Sequence, residues 1–432
     1  MINLRLIRYN KYTDSNVEWL GEIPAHWSVT RNKDIFEERG SLSSTGDETL
    51  LTVSHITGVT RRSEKNVNMF MAETMEGYKH CSKGDLVINT MWAWMGALGT
   101  TNENGICSPA YGVYKPRKYQ TYNHRYFDYL YRTPNAITEM TKNSKGIVSS
   151  RLRLYPKDFF QIKTALPPVR EQRAIANYID TKTAQIDKEM HILTQKVVHY
   201  DKLKQVLINE TVTNGLDKAV DMRGSDIEWI GEIPKHWEVK RIKDIAKSTN
   251  GGAFKHDLVD VGLPIIKIQQ LTLRSVARDF CDPNSHKIKN NNKLESGDLV
   301  FSWSTLIAPF IYKGESAVLN QHIFKITHSD RINKKWIYYK LLQSTDRLKV
   351  FAHGSTMQHI LKSDFDNLEI ETPPLSEQIE IAVYLDDKTK NIDSIVNTIN
   401  TKIKKLKELR VSIINDAVTG KMNVTQDEKE AA

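Results

Sequence analysis

Two stretches of this chain alternate apolar and polar positions with an unbroken helical period. In the first, Ile175, Ile179, Ile186, Met190, Leu193, Val197, Tyr200, Leu203 and Leu207 follow one another by threes and fours, with one gap of seven. In the second, Ile381, Leu385, Ile392, Val396, Ile399, Ile403, Leu406, Leu409 and Ile413 repeat the series. A seam this narrow, held over about five heptads, predicts a coiled coil rather than a globular surface helix. Pro167-Pro168 and Pro373-Pro374 keep either helix from running backwards, and Gly215 and Gly420 stand where C-terminal caps belong. At ~1.5 Å per residue each helix is a rod of about 60 Å.

Between these rods the signals are mixed. Asp85-Leu86-Val87-Ile88-Asn89 and Asp298-Leu299-Val300-Phe301-Ser302 read as strands after a Gly-Asp turn, and 264–268 and 322–326 also read as strands. Tyr126–Tyr131 and Lys335–Leu342 read as helices.

The chain also repeats itself, a feature to be sought before any local motif. EWLGEIPAHW at 18–27 returns as EWIGEIPKHW at 228–237. LPPVREQ at 166–172 returns as TPPLSEQ at 372–378, and INETVTNG at 208–215 as IINDAVTG at 413–420. Between these anchors the copies agree much less, apart from Gly-Asp-Leu-Val at 84–87 and 297–300. Each copy is a shared frame around a divergent interior.

The first rod leads through polar residues 217–226 into the second divergent region. A compact domain brings its ends close together, so the second rod starts near where the first stopped and returns antiparallel. The expected fold is α+β: a tandem duplication of two mixed α/β domains separated by two long helices packed as an antiparallel coiled coil. A pseudo-twofold would then place the two domains at opposite ends of the rod. The boundaries are 1–170 for the first domain, 171–215 for the first helix, 216–376 for the second domain and 377–421 for the second helix, with a polar tail at 422–432.

Composition narrows the function. Across 432 residues, 61 Lys and Arg stand against 52 Asp and Glu, a formal charge of +9 that favours a polyanionic partner. Three cysteines without a CxxC pair argue against a disulfide framework or a Cys-rich zinc site. No apolar run approaches the ~20 residues that span a bilayer, and the N-terminus lacks an export signal's apolar core. A cytoplasmic protein without a membrane role is expected.

The search for catalytic chemistry is negative. The nucleotide-binding pattern GxxxxGK[ST] is absent. Thr372-Pro373-Pro374-Leu375 and Leu166-Pro167-Pro168-Val169 lack the amide donor and the aromatic of an adenine methyltransferase tetrad, and read as helix-start prolines. Asp158 with Gln161-Ile162-Lys163 loosely resembles a metal-nuclease pattern, but Asp364 with Leu368-Glu369-Ile370 lacks the Lys. His26 and His236 read as packed, hydrogen-bonded anchors, and no histidine pair has metal-ligand spacing. Catalytic, metal and cofactor-binding residues are all expected to be absent.

What remains is binding. Basic and polar residues gather in expected loops: Arg61, Arg62 and Lys65, then Lys142, Lys145, Ser149, Ser150, Arg151 and Arg153 in the first copy. The second has Lys255, Lys267, Gln269 and Gln270, then His353, Ser355, Thr356, Gln358, His359 and Lys362. Arg and Lys suit phosphates and guanine edges, while Gln and Asn suit adenine edges. The later cluster follows Gly146 in one copy and Gly354 in the other, which sets both above an ordinary charged surface.

The EWxGEIPxHW repeats, the PPxxEQ helix starts and the duplicated helix ends together resemble the specificity subunit of type I restriction-modification systems. The likeness covers nearly the whole chain. It implies two target recognition domains, each reading half of a bipartite, asymmetric DNA sequence, with the helix pair as the spacer. It implies as partners double-stranded DNA, two modification (methyltransferase) subunits and restriction subunits. S-adenosylmethionine, ATP and magnesium would be held by those partners and not by this chain. Two other classes remain: a self-contained DNA enzyme, which the missing motifs oppose, and a protein-only scaffold, which the charge opposes.

Overall fold

The computed structural model describes residues 7–65, 74–148, 151–273, 276–352 and 359–425. They form two compact units that cut across the two sequence repeats. One unit joins the residues up to Leu193 with those from Thr401 onward, and the other is Thr194–Asn400.

Both units are built on one frame. In the first, an antiparallel sheet runs in the order Phe36–Glu38, Tyr111–Pro116, Leu86–Asn89, Leu98–Thr100. In the second, Ala246–Asn250, Ile323–His328, Leu299–Ser302 and Ala308–Ile311 take the same order. The Gly-Asp-Leu-Val repeat supplies a central strand in each. Its first three residues are apolar in both units because both faces are covered, and Leu86, Val87, Ile88, Leu299, Val300 and Phe301 are all buried. Gly84 and Gly297 enter these strands at φ of 94° and 93°, where a side chain would be strained. The buried Asp85 accepts from Ser82 N (2.7 Å) and Arg39 Nη2 (3.0 Å). Its counterpart Asp298 accepts from Glu295 N (2.8 Å) and Lys325 Nζ (2.6 Å). The turn is kept, and its cation comes from a different strand.

A helix packs on each sheet, His124–Tyr131 in the first unit and Lys334–Gln343 in the second. An aromatic cluster of Phe36, Tyr114, Phe127, Tyr131 and Phe159 fills the first core, with ring centroids 4.7–6.2 Å apart. The units differ on the outer side. Among the described residues the first unit has there two two-stranded pairings, Leu51–Ser54 with Gly58–Arg61 and Lys79–Cys81 with Gly105–Cys107, while the second carries a five-stranded sheet with one parallel pairing, Ile265 beside Val318.

Ser28–Arg31 pairs with Lys163–Leu166, and Glu238–Arg241 with Glu369–Thr372, delivering the chain to a long helix each time. Those helices are Val169–Asn214 and Leu375–Val418. Within the first unit they run antiparallel, since Asp187 meets Arg410 (3.2 Å) and Glu189 meets Lys402 (2.6 Å). Within the second unit Lys204 meets Asp393 (2.7 Å).

The apolar seam is less even than its period suggests. Ile175, Ile179, Ile381 and Leu385 are fully buried because each lies under a globular domain as well as a partner helix. Leu203 is 45% exposed, since a two-helix contact covers less of each side chain. Among the described residues no helix is long and apolar enough to cross a membrane.

Candidate nucleic-acid interface

The duplicated motifs turn out to be fasteners between domain and helix. In PPxxEQ the Gln is buried and clamps the small helix. Gln172 donates to Pro167 O (2.9 Å) and Thr121 O (3.1 Å) and accepts from Asn123 N (2.9 Å). Gln378 does the same with Pro373 O (2.9 Å), Arg331 O (3.3 Å) and Asn333 N (2.8 Å).

The Glu of the same motif reaches back to EIPxHW. Glu171 pairs with His26 (2.8 Å) and accepts from Tyr9 Oη; Glu377 pairs with His236 (2.6 Å) and accepts from Trp237 Nε1 (2.9 Å). Burial first, then Glu171, pushes the Tyr9 hydroxyl pKa well above its usual range. Both histidines are hydrogen-bonded, but their side chains are about half exposed, and the packed members of the motif are Trp27 and Trp237. These tryptophans lie against glycines that end the long helices. A Cβ on Gly420 would come within 3.0 Å of Trp27, and one on Gly215 within 3.2 Å of Trp237. In each unit one copy's EIPxHW motif therefore packs on the helix end of the other copy.

Onto this frame each unit hangs one polar loop at the same point. Leu154 N donates to Thr90 O (3.0 Å), just beyond the strand Leu86–Asn89. Ile360 N donates to Trp303 O (2.9 Å), just beyond Leu299–Ser302. Leu154 and Ile360 are thus anchored at equivalent places on the two frames.

In the first loop Lys145 and Arg153 exchange two backbone hydrogen bonds of 2.9 Å, and Arg151 and Arg153 are exposed. Lys145 pairs with Asp158 (2.9 Å), and Lys142, at the end of the helix Pro134–Lys142, pairs with Glu18 (2.8 Å). Glu18 raises the Lys142 pKa by hydrogen bonding and charge. Arg61 ends an outer hairpin and pairs with Glu103 (2.7 Å), while Arg62 opens the short turn after it. Burial, then Arg62 and Arg132, lowers the Lys65 pKa, the signature of clustered cations.

In the second unit His359 bridges to Ser304, and Lys362 starts the helix Lys362–Asp366 and pairs with Asp366. Lys267, Gln269 and Gln270 sit apart from these in the fold, at a short helix leaving the five-stranded sheet, where Lys267 pairs with Asp279. Ser149, Ser150, Ser355, Thr356 and Gln358 lie outside the described residues. The cations of these pairs are about half exposed, while Asp158 and Asp366 are largely buried. Arg132, beside the first outer hairpin with Nη2 2.7 Å from Ile56 O, was not singled out by sequence because it stands alone in a helix-end context.

Asp158, half of the loose nuclease-like pattern, pairs with Lys145 of the first loop. Among the described residues no group of three or more His, Cys, Asp or Glu could hold a metal ion.

A family model described as the type I restriction modification DNA specificity domain matches residues 234–405. The putative MjaX specificity subunit of Methanocaldococcus jannaschii is 21% identical over 97% of this chain and 99% of its own length. The chain is similar to type I restriction-modification specificity subunits over nearly its whole length, and residues 234–405 match their DNA specificity domain.

The MjaVIII specificity subunit of the same archaeon is 26% identical over 62% of this chain and 64% of its own length. The EcoKI specificity subunit of Escherichia coli is 22% identical over 62% and 59%. The HsdS subunit of Thermoanaerobacter tengcongensis shares the fold at a TM-score of 0.57 and 16% identity, over 93% of this chain and 98% of that one. A chain from a structure of type I complex assembly and conformational transition reaches a TM-score of 0.71 at 15% identity, over 93% and 99%. Specificity subunits are the non-catalytic, DNA-recognising members of their systems.

Proposed function

We propose that this chain is a specificity subunit and that each of its units reads one half of a bipartite, asymmetric DNA target. The observation that carries the reading is the pair of anchors at equivalent strand ends, Leu154 on Thr90 and Ile360 on Trp303, on matching frames whose intervening sequences differ. Two different readers in one chain accept two different half-sites, where a homodimer would demand a palindrome. The long helices, of 46 and 44 residues, set the unspecified gap between the halves. Exposed cations such as Arg151 and Arg153 bind phosphate, and the polar residues beside them contact base edges.

In this reading two modification subunits and the restriction subunits dock on the chain, and it directs adenine methylation and cleavage by them. S-adenosylmethionine, ATP and magnesium belong to those partners.

Co-expression with a modification subunit, followed by sequencing for methylated adenines, tests the proposal. The expected result is a split motif, two short specific halves around a fixed gap. A continuous or palindromic motif would overturn the two-reader scheme. No methylation, with DNA binding that is absent at low salt, would favour a protein-only scaffold.

A further inference from the structure

The first reading loop carries more than charge. Ile147 is fully exposed and Val148 is 48% exposed, side by side at its tip. Trp92, 49% exposed, stands on the turn after the strand to which the loop is tied. In the second unit, exposed aliphatics lie on neighbouring elements instead, Val350 (71%) at the end of the helix Thr345–Val350 and Leu361 (44%) just before the helix Lys362–Asp366. Single exposed aliphatics are ordinary, but the adjacent Ile147 and Val148 among the cations of the first loop call for a partner that is apolar and anionic together. Duplex DNA offers both.

The loop's shape selects the groove. The paired backbone bonds between Lys145 and Arg153, one antiparallel bridge, hold its two arms together as a narrow ribbon. Gly146 pinches that ribbon, since a Cβ there would lie 2.6 Å from Arg151 O. A major groove about 12 Å wide admits a two-stranded ribbon, while a minor groove about 6 Å wide does not. The apolar feature of the major groove is the 5-methyl group of thymine. Lys142, Lys145, Arg151 and Arg153 on the flanks then face the bordering phosphates. Isoleucine, stiff at χ1, loses little freedom on making the contact.

We propose that Ile147 is a specificity-determining residue that packs on a thymine methyl group in the half-site read by the first unit. The proposal rests on the DNA-reading function above and extends it from charge to apolar contact.

The test uses the full chain with its modification subunit and duplexes it selects from a random pool. Each thymine of the selected duplex is replaced in turn by deoxyuridine, which removes only the methyl group. At one position the wild type should bind about fourfold more weakly. Ile147→Ser should weaken binding to the thymine duplex by a similar factor and be indifferent to uracil at that position, while Ile147→Val keeps the discrimination. Full exposure makes the serine variant safe for folding. An Ile147→Ser variant as tight as wild type, or one with the uracil penalty undiminished, overturns the proposal. Failure of the wild type to select any duplex, with no salt-dependent binding to random DNA, overturns instead the DNA reading beneath it.

Discussion

Lys340 and Glu371 form an ion pair inside the core of the second unit, where the first unit places Leu130 and Ala165. The helix positions correspond because Asn123 and Asn333 cap the same helix, and the strand positions because Ala165 pairs with Val29 and Glu371 with Val239. Both charged side chains are buried, at 0% and 2% exposure, and Glu371 Oε2 has no hydrogen-bond partner. Burial lowers the Lys340 pKa, and Glu371 pulls it back up. Removing one partner leaves an uncompensated buried charge, so Glu371→Ala should destabilise the second unit by about 3–5 kcal/mol. Lys340→Leu with Glu371→Ala, which copies the first unit, should recover most of that loss. Urea unfolding of the singles and the double decides it, and an additive double would show that the pair is not coupled.

The two tryptophans of the repeated motif should respond differently to phenylalanine. Trp237 Nε1 donates to Glu377, whereas Trp27 Nε1 is buried without a partner because Glu171 binds Tyr9 and His26 instead. Trp237→Phe loses a hydrogen bond to a charged group, while Trp27→Phe removes a donor that was already unsatisfied. The former should cost about 1–2 kcal/mol more than the latter by chemical unfolding. Equal costs would mean that the Glu377 bond contributes nothing beyond ring packing.

Deleting one turn, about four residues, from each long helix near its middle should alter the accepted gap and leave both half-sites unchanged. One base pair adds ~3.4 Å along the duplex, against about 5.4 Å of helix lost. Adenine methylation profiles of the deletion and the parent read this directly. Altered half-sites around an unaltered gap would refute the role of the helices as a ruler.

Much of the frame was legible without a structure. The strands after the Gly-Asp turns appear at Leu86–Asn89 and Leu299–Ser302, and the helical readings at Tyr126–Tyr131 and Lys335–Leu342 fall inside observed helices. Each rests on local signals, periodicity and turn chemistry, that act over a few residues. The interface was legible only in outline. Lys145, Arg151 and Arg153 share one bridged loop, while Gln269 and Gln270 of the other copy lie on the short helix Ile268–Leu273.

By itself the sequence determined the duplication, the two long helices and their stops, and a basic chain without catalytic motifs. These follow from repeats, spacing and composition, which need no knowledge of distant contacts. Tertiary structure alone decided that Trp27 sits on the helix end at Gly420 and Trp237 on that at Gly215, each motif fastening the other copy's helix. It also decided that one core holds Lys340 with Glu371 where the other is apolar. Both depend on which side chains far apart in the chain share a dry space. That choice is made by packing and by the cost of burying charge, and no local pattern records it.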